Sequence, residues 1–146
     1  MSSYEKDLEK NTKRNETFIK EFENWLKNKN LTPKTIRKHI GNIDLYLNYY
    51  LPYYEVTKME EGINKAYSFL NDWYIRKCLF ASKTSLKETA ASIKKFYQCM
   101  SEKNYVDIKD YKELCSEINE NMDDFLYSLE EFDNIDDEFY DIFDEI

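Results

Sequence analysis

The sequence has few of the residues that turns and phosphate-binding loops need. Its 146 residues include only two glycines and two prolines. All-β folds need a turn about every 8–12 residues, and doubly wound α/β folds need glycine-rich turns. Two glycines are also too few for a phosphate-binding loop. The composition therefore predicts an all-α protein without a nucleotide-binding loop.

Long apolar runs and paired cysteines are also missing. No apolar run approaches the roughly 18 residues of a membrane-spanning helix, and the N-terminus has no apolar stretch of a secretory signal. The three cysteines Cys78, Cys99 and Cys115 are an odd number without CxxC spacing, which is typical of reduced thiols. We therefore expect a cytoplasmic protein that makes no use of a membrane.

The sequence offers no arrangement of catalytic or metal-binding residues. His39 is the single histidine, and no two cysteines lie on one helical turn. We expect His39 to be a surface or groove-lining residue rather than a metal ligand. No nucleophile–base pattern is present, so we expect no enzyme activity, no metal, no cofactor and no small-molecule substrate.

The net charge of −8 is the average of two opposite parts. Residues 1–106 contain 19 basic and 13 acidic residues, a net charge of +6. Residues 107–146 contain 2 lysines and 16 acidic residues, a net charge of −14. This asymmetry is typical of a polyanion-binding domain beside an acidic tail, but it also fits a solvated helical surface with a solubilising terminus.

Apolar residues recur at helical spacing along five segments, and no segment alternates like a strand. Capping boxes are predicted for Thr57 with Glu60 and for Ser85 with Glu88. The residues near which we expect the helices to begin are Arg14, Thr32, Thr57, Ser85 and Asp107. The stripe residues that we expect to face the core include Phe22, Ile43, Tyr67, Phe96 and Phe125.

The expected organisation is one helical domain with two polar ends. Residues 1–13 form a polar N-terminal arm, 14–132 the helical domain, and 133–146 an acidic amphipathic tail. Within the tail, the apolar residues at helical intervals are Ile135, Phe139, Ile142 and Phe143.

The second and fourth helical segments repeat each other at an offset of 50 residues. Ile36 and Ile43 align with Leu86 and Ile93, and both segments carry Thr or Ser and basic residues near their starts. This repeat predicts two stacked helical hairpins. The predicted fold is therefore a bundle of four to five helices with a long acidic helix at the C-terminus.

Three segments follow one another in a recognisable order: FIKEFENWLKNKNL, then TPKTIRKHIGNIDLYLNYYL, then TSLKETAASIKKFYQCMSEKNYV. This order of an aromatic-containing helix and two helices with Thr/Ser starts resembles the N-terminal core-binding (SAM-like) domain of tyrosine recombinases and phage integrases. The resemblance covers residues 18–105. It implies a small four-helix domain that clamps one side of a DNA duplex.

The resemblance implies that residues near the starts of the second and fourth helices contact double-stranded DNA. These candidates are Lys34, Thr35, Arg37, Lys38, Lys83, Thr84, Ser85 and Lys87, with Lys94 and Lys95 as further contacts. Recombinases carry their catalytic Arg, Lys, His-x-x-Arg pair and Tyr in a separate domain. Here Asn42 stands three residues after His39, so we expect no strand transfer by this chain.

Two functions remain open at this point. The first is a non-catalytic DNA-binding module. The second is a protein-interaction module that retains the fold, which the −14 segment and the tyrosine cluster Tyr46, Tyr49, Tyr50, Tyr53 and Tyr54 favour. A third hypothesis concerns the tail residues Ile135, Phe139, Ile142 and Phe143, which would bind a partner or dock onto the basic helix starts and compete with DNA.

Overall fold

The computed structural model of this chain describes the backbone of residues 1–144 and the side chains of residues 1–135. All regular structure in these residues is helical, which confirms the all-α prediction, and none of these helices is long and apolar enough to cross a membrane. The helices are α1 (Ser3–Lys27), α2 (Pro33–Asp44, continued by the π-helical turn Leu45–Tyr50), α3 (Ala66–Ser68, Phe69–Trp73 and Tyr74–Lys77 in succession), α4 (Lys83–Glu102) and α5 (Ile108–Asp144).

The predicted apolar stripes form the core of the bundle. Phe22, Ile43, Phe96 and Phe125 come from four different helices and are fully buried. Tyr67 is an exception, because it remains 38% exposed and packs edge-on against Phe125 with the ring centroids 5.4 Å apart. Removal of these side chains from water is the main source of stability in such a bundle.

The polar N-terminal arm is helical, which differs from the prediction. α1 begins at Ser3 rather than near Arg14. Polar contacts hold this segment: the buried Asn11 Nδ2 donates to the carbonyl of Thr57 over 3.4 Å, and Arg14 donates to the carboxylate of Glu60 over 2.9 Å. Apolar periodicity does not report contacts of this kind, so the sequence pattern missed the first three turns of α1.

α2 ends in a π-helical turn, and a proline follows it. The N–H of Leu51 donates to the carbonyl of Tyr46, five residues back, over 3.0 Å. Pro52 has no N–H, so no following residue of the helix donates to the carbonyl of Leu47. Asn15 of α1 supplies this missing hydrogen bond, because its Nδ2 donates to the Leu47 carbonyl over 3.3 Å.

Replacing Asn15 by alanine is expected to lower the free energy of unfolding by about 1–2 kcal/mol, since the buried Leu47 carbonyl then lacks a donor. Asn15 is only 1% exposed, so bulk solvent does not reach this carbonyl in the folded protein. The same substitution at the exposed Asn24 of α1 is the control and should change stability by less than about 0.5 kcal/mol. Urea unfolding measures both variants, and equal effects would contradict this role of Asn15.

The connector between α2 and α3 does not contain the predicted capping box of Thr57 and Glu60. Thr57 Oγ1 donates instead to the carbonyl of Glu55 over 3.2 Å, and Glu60 binds Arg14. A short 3-10 turn, Glu61–Asn64, precedes α3. Three tyrosine hydroxyls hold the connector by donating to its carbonyls: Tyr97 to Met59, Tyr46 to Gly62, and Tyr50 to Lys65.

α4 begins one turn earlier than predicted. Its capping box consists of Ser82 and Ser85 rather than Ser85 and Glu88: Ser82 Oγ accepts from the Ser85 N–H over 3.1 Å, and Ser85 Oγ accepts from the Ser82 N–H over 2.9 Å. The hydroxyl of Tyr74 also donates to Ser85 Oγ over 2.9 Å. These bonds place Ser85 inside the helix, so it cannot be the residue that begins it.

α5 is one uninterrupted helix, and its backbone continues past residue 133, where the acidic tail was predicted to begin. Leu129 is the last buried residue among those whose side chains are described. Phe132 and Ile135 are 37% and 63% exposed. The other predicted tail residues, Phe139, Ile142 and Phe143, lie outside the described side chains.

Candidate nucleic-acid interface

α2 and α4 lie side by side and run in the same direction. Lys38 Nζ lies 3.2 Å from Glu88 Oε1, and Asn42 Nδ2 donates to Ser92 Oγ over 3.0 Å. Both pairs are 50 residues apart in the chain. The sequence repeat therefore corresponds to neighbouring positions in space, and the starts of both helices lie at the same end of the bundle.

A groove of about 200 Å³ separates α2 from α4. At its base Ser92 Oγ donates to the carbonyl of Glu88 over 3.0 Å and accepts from Asn42 Nδ2. His39 Nδ1 lies 2.7 Å from the same oxygen, and because Ser92 has one proton to donate, this contact assigns the ring proton to Nδ1. Burial, followed by the charge of Lys95, lowers the pKa of His39. His39 thus lines the groove as a neutral ring at pH 7.

Several predicted basic residues make no ion pair within the described part of the chain. Lys34 and Arg37 are exposed in the first turns of α2, and Lys87 is exposed in the second turn of α4. Arg37 and Lys87 are 50 residues apart, the offset at which the two helices pair. Lys95 lies further along α4 and is half-buried near His39. The end of the bundle formed by the two helix starts is therefore basic.

Two other candidates already have acidic partners. Lys38 pairs with Glu88 over 3.2 Å, and Lys83 pairs with Glu130 of α5 over 3.9 Å. The four side chains are between 42% and 63% exposed, so salt screens both pairs and each contributes little to stability. An incoming anion can replace either carboxylate at small cost.

The expected basic face is divided between two flanks of α4. Lys94 Nζ donates to Asn119 Oδ1 of α5 over 2.9 Å, and Lys83 contacts Glu130. These contacts show that α5 runs antiparallel to α4. Lys83, Lys87 and Lys94 share this flank by their helical spacing, whereas Lys95 lies on the groove side near α2.

The three predicted hydroxyl contacts differ in their surroundings. Ser85 is a helix-capping residue whose oxygen already accepts from a backbone N–H and from Tyr74. The hydroxyls of Thr32 and Thr35 lie 2.9 Å apart at the start of α2. Thr84 is exposed in the first turn of α4. Thr84 is thus the one most accessible to a ligand.

Sequence reasoning missed the loop between α3 and α4, at the same end of the bundle. Leu79 is fully exposed, at 103%, and Phe80 is 65% exposed. Two large apolar residues outside any helical stripe are the signal that could have identified an exposed apolar loop.

The described side chains contain no group of three or more His, Cys, Asp or Glu residues that could hold a metal ion. The site therefore consists of basic and polar side chains on two parallel helix starts, with an acidic helix beside them. No protein-family model matches the chain, and comparison with curated proteins and with solved structures finds no similar protein. The likeness to integrase core-binding domains accordingly stays a prediction.

Proposed function

We propose that this protein is a non-catalytic DNA-binding module, built from two stacked helical hairpins like the integrase core-binding domain. The starts of α2 and α4 would contact the phosphate backbone. The observation that carries the proposal is the parallel pairing of α2 and α4, which brings Lys34, Arg37 and Lys87 to one end of the bundle.

The physical basis is the neutralisation of phosphate by fixed positive charge. Each lysine or arginine that contacts a phosphate releases a condensed counterion, so the affinity falls as the salt concentration rises. The N-terminal end of each helix adds unsatisfied N–H groups and a partial positive charge that also favour anions. Such contacts position the protein on the duplex without selecting a base sequence.

Replacing Lys34, Arg37 and Lys87 together by alanine is expected to weaken duplex binding and to reduce the slope of log K against log salt by about 3. Fluorescence anisotropy with a labelled duplex between about 50 and 200 mM salt measures both quantities. The matched control replaces three exposed lysines elsewhere in the chain, Lys20, Lys58 and Lys109. Equal losses in the two triple variants, or no binding by the wild type at the lower salt, would contradict the proposal.

The alternative is a protein-interaction module, and exposed tyrosines favour it. Tyr49, Tyr53 and Tyr54 are between 49% and 73% exposed. Tyr53 stacks edge-on against Tyr54 and Trp73, with ring centroids 4.9 and 5.7 Å apart. Such rigid aromatic groups are enriched where proteins meet. Replacing Tyr53 and Tyr54 by serine should leave DNA affinity unchanged, which separates the two surfaces.

A further inference from the structure

One end of the bundle carries two complementary features that, apart from the contact of Glu130 with Lys83, have few partners in the described residues. The first is the exposed Leu79–Phe80 loop together with the basic helix starts of α2 and α4. The second is the last part of α5, residues 130–144, which we call the α5 extension. The first surface combines positive charge with exposed apolar residues, and the second combines negative charge with exposed apolar residues. Two such surfaces are complementary and suit binding to each other.

The neighbours of α5 show where the extension leaves the bundle. Glu130 contacts Lys83, the first residue of α4. α3 runs parallel to α5, since Tyr67 packs on Phe125 and Ser128 Oγ donates to Asn71 Oδ1 over 2.8 Å. Asn71 and Ser128 are 57 residues apart in the chain. α3 ends at Lys77, so at the same offset its contacts with α5 end near residue 134. The helix then continues to Asp144, and the extension from Glu130 is about 20 Å long at 1.5 Å per residue.

The extension becomes less covered as it leaves the bundle. Leu129 is 2% exposed, Phe132 37% and Ile135 63%. The sequence carries the apolar spacing onward through Phe139, Ile142 and Ile146. Residues 130–146 contain nine acidic residues and no basic one.

The extension cannot reach the start of α2 in its own chain while it stays helical, because α5 does not turn before Asp144. A second copy removes this constraint. In a two-fold arrangement the two extensions run in opposite directions, and each ends at the basic helix starts of the opposite copy. We propose that the protein forms such a reciprocal dimer, in which the α5 extension of one copy binds the Leu79–Phe80 loop and the starts of α2 and α4 of the other.

Charge complementarity favours binding of the extension to the basic surface of the second copy over a contact made by the two extensions alone. The extensions repel each other because both are strongly acidic. The opposite copy offers Lys34, Arg37 and Lys87, which make no ion pair among the described residues, for the carboxylates, and Leu79 and Phe80 for the apolar stripe. The dimer does not depend on DNA binding. It does use the same basic residues, so duplex DNA and the extension of the second copy would compete.

Sedimentation velocity of the full chain tests the dimer directly. We expect a dimer at about 50 mM salt that dissociates at about 500 mM, because the contact joins opposite charges near solvent. A monomer at both salt concentrations, up to the highest protein concentration that stays in solution, would overturn the proposal.

A charge exchange between two full-length variants identifies the surfaces. The first variant carries Lys34→Glu, Arg37→Glu and Lys87→Glu, and the second carries Asp133→Lys, Asp137→Lys and Asp141→Lys. Each variant alone should be monomeric, and an equimolar mixture should form a heterodimer because the acidic extension of the first variant meets the intact basic residues of the second, while the introduced lysines face the introduced glutamates in the other contact. The control variant, with Lys20, Lys58 and Lys109 changed to Glu, should still dimerise. Dimers of either charge variant alone, or no dimer in the mixture, would overturn the proposed surfaces.

Measurements of oligomeric state and of DNA affinity test the dimer and the DNA-binding function independently. A variant with Asp133, Asp137 and Asp141 changed to asparagine retains the basic residues, so it should be monomeric and should bind duplex DNA at least as tightly as the wild type. A chain that dimerises without binding DNA would contradict the proposed function alone. A chain that binds duplex DNA but is monomeric at low salt in the absence of DNA would contradict the dimer alone.

Discussion

Above about pH 10, two buried tyrosines are expected to lower the free energy of unfolding of this protein by about 2.7 kcal/mol for each pH unit. The cause is a pair of core tyrosines that cannot ionise while the chain is folded. Tyr46 and Tyr97 are both fully buried. Their hydroxyls donate to the carbonyls of Gly62 and Met59 in the connector between α2 and α3.

Burial raises the pKa of both phenols well above the usual value of 10.0, and for Tyr46 the neighbouring Tyr97 adds to the effect. Below pH 10 both hydroxyls are neutral in the folded and the unfolded chain, so they cause no pH dependence. Above pH 10 the unfolded chain releases these protons and the folded chain retains them. Stability therefore falls as the pH rises, by about 1.36 kcal/mol per pH unit for each group.

Urea unfolding at a series of pH values between about 8 and 11.5 measures this slope. Tyr97→Phe is expected to remove about half of it, and it should also cost about 1–3 kcal/mol at pH 7 because the Met59 carbonyl loses its donor. Tyr54 is 73% exposed, so Tyr54→Phe is the matched control and should leave the slope unchanged. A free energy of unfolding that stays constant above pH 10 would show that these hydroxyls ionise within the fold.

The second large effect is expected for Gly62→Ala, which should lower the free energy of unfolding by about 1–3 kcal/mol through overpacking. A Cβ atom at this position would lie 2.6 Å from Leu51 Cδ1 and 2.6 Å from the hydroxyl oxygen of Tyr97. Tyr97 has little freedom to move, because it is fully buried and donates to the Met59 carbonyl over 2.8 Å. We therefore expect a loss near the upper end of this range.

Gly41→Ala is the matched control for this substitution. Gly41 is exposed within α2, and a Cβ atom there would have no neighbour within 4 Å. Alanine in the interior of a helix is more favourable than glycine by about 0.5–1 kcal/mol, so this variant should be more stable than the wild type. The urea midpoints of the two variants should shift in opposite directions. A shift in the same direction would contradict the close packing around Gly62.

Local patterns were sufficient to predict the helices. The apolar stripe through Phe22 in α1 and the one through Phe96 in α4 are buried as expected. Thr32 caps α2 as predicted, with Pro33 in the first position. These features depend on residues within one or two turns of each other, and such short-range relations are visible in a sequence.

Polar contacts between distant residues accounted for two of the errors. The start of α1 depends on Asn11 and Arg14, whose partners Thr57 and Glu60 are 46 residues away in the chain. In the same way Glu60 is used by Arg14 instead of forming a capping box. A short polar motif has several possible partners, and only the packed fold selects one of them.

The candidate site likewise has features that the sequence predicts and contacts that only the fold decides. The basic helix starts and their offset of 50 residues are visible in the sequence, and the fold places them side by side. The pairing of Lys83 with Glu130 and the hydrogen bond that Tyr74 donates to Ser85 are not visible there. These details decide which of the predicted residues remain accessible to a ligand.

By itself, the sequence determined the helical class, the apolar faces and the separation of charge into a +6 segment and a −14 segment. Only the tertiary structure decided that Asn15 completes the hydrogen bonding of α2, that α5 divides the basic face, and that Leu79 stands in solvent. The physical reason is the range of the interactions. Helix periodicity and capping act over a few residues, whereas these contacts depend on which helices pack together and in which register.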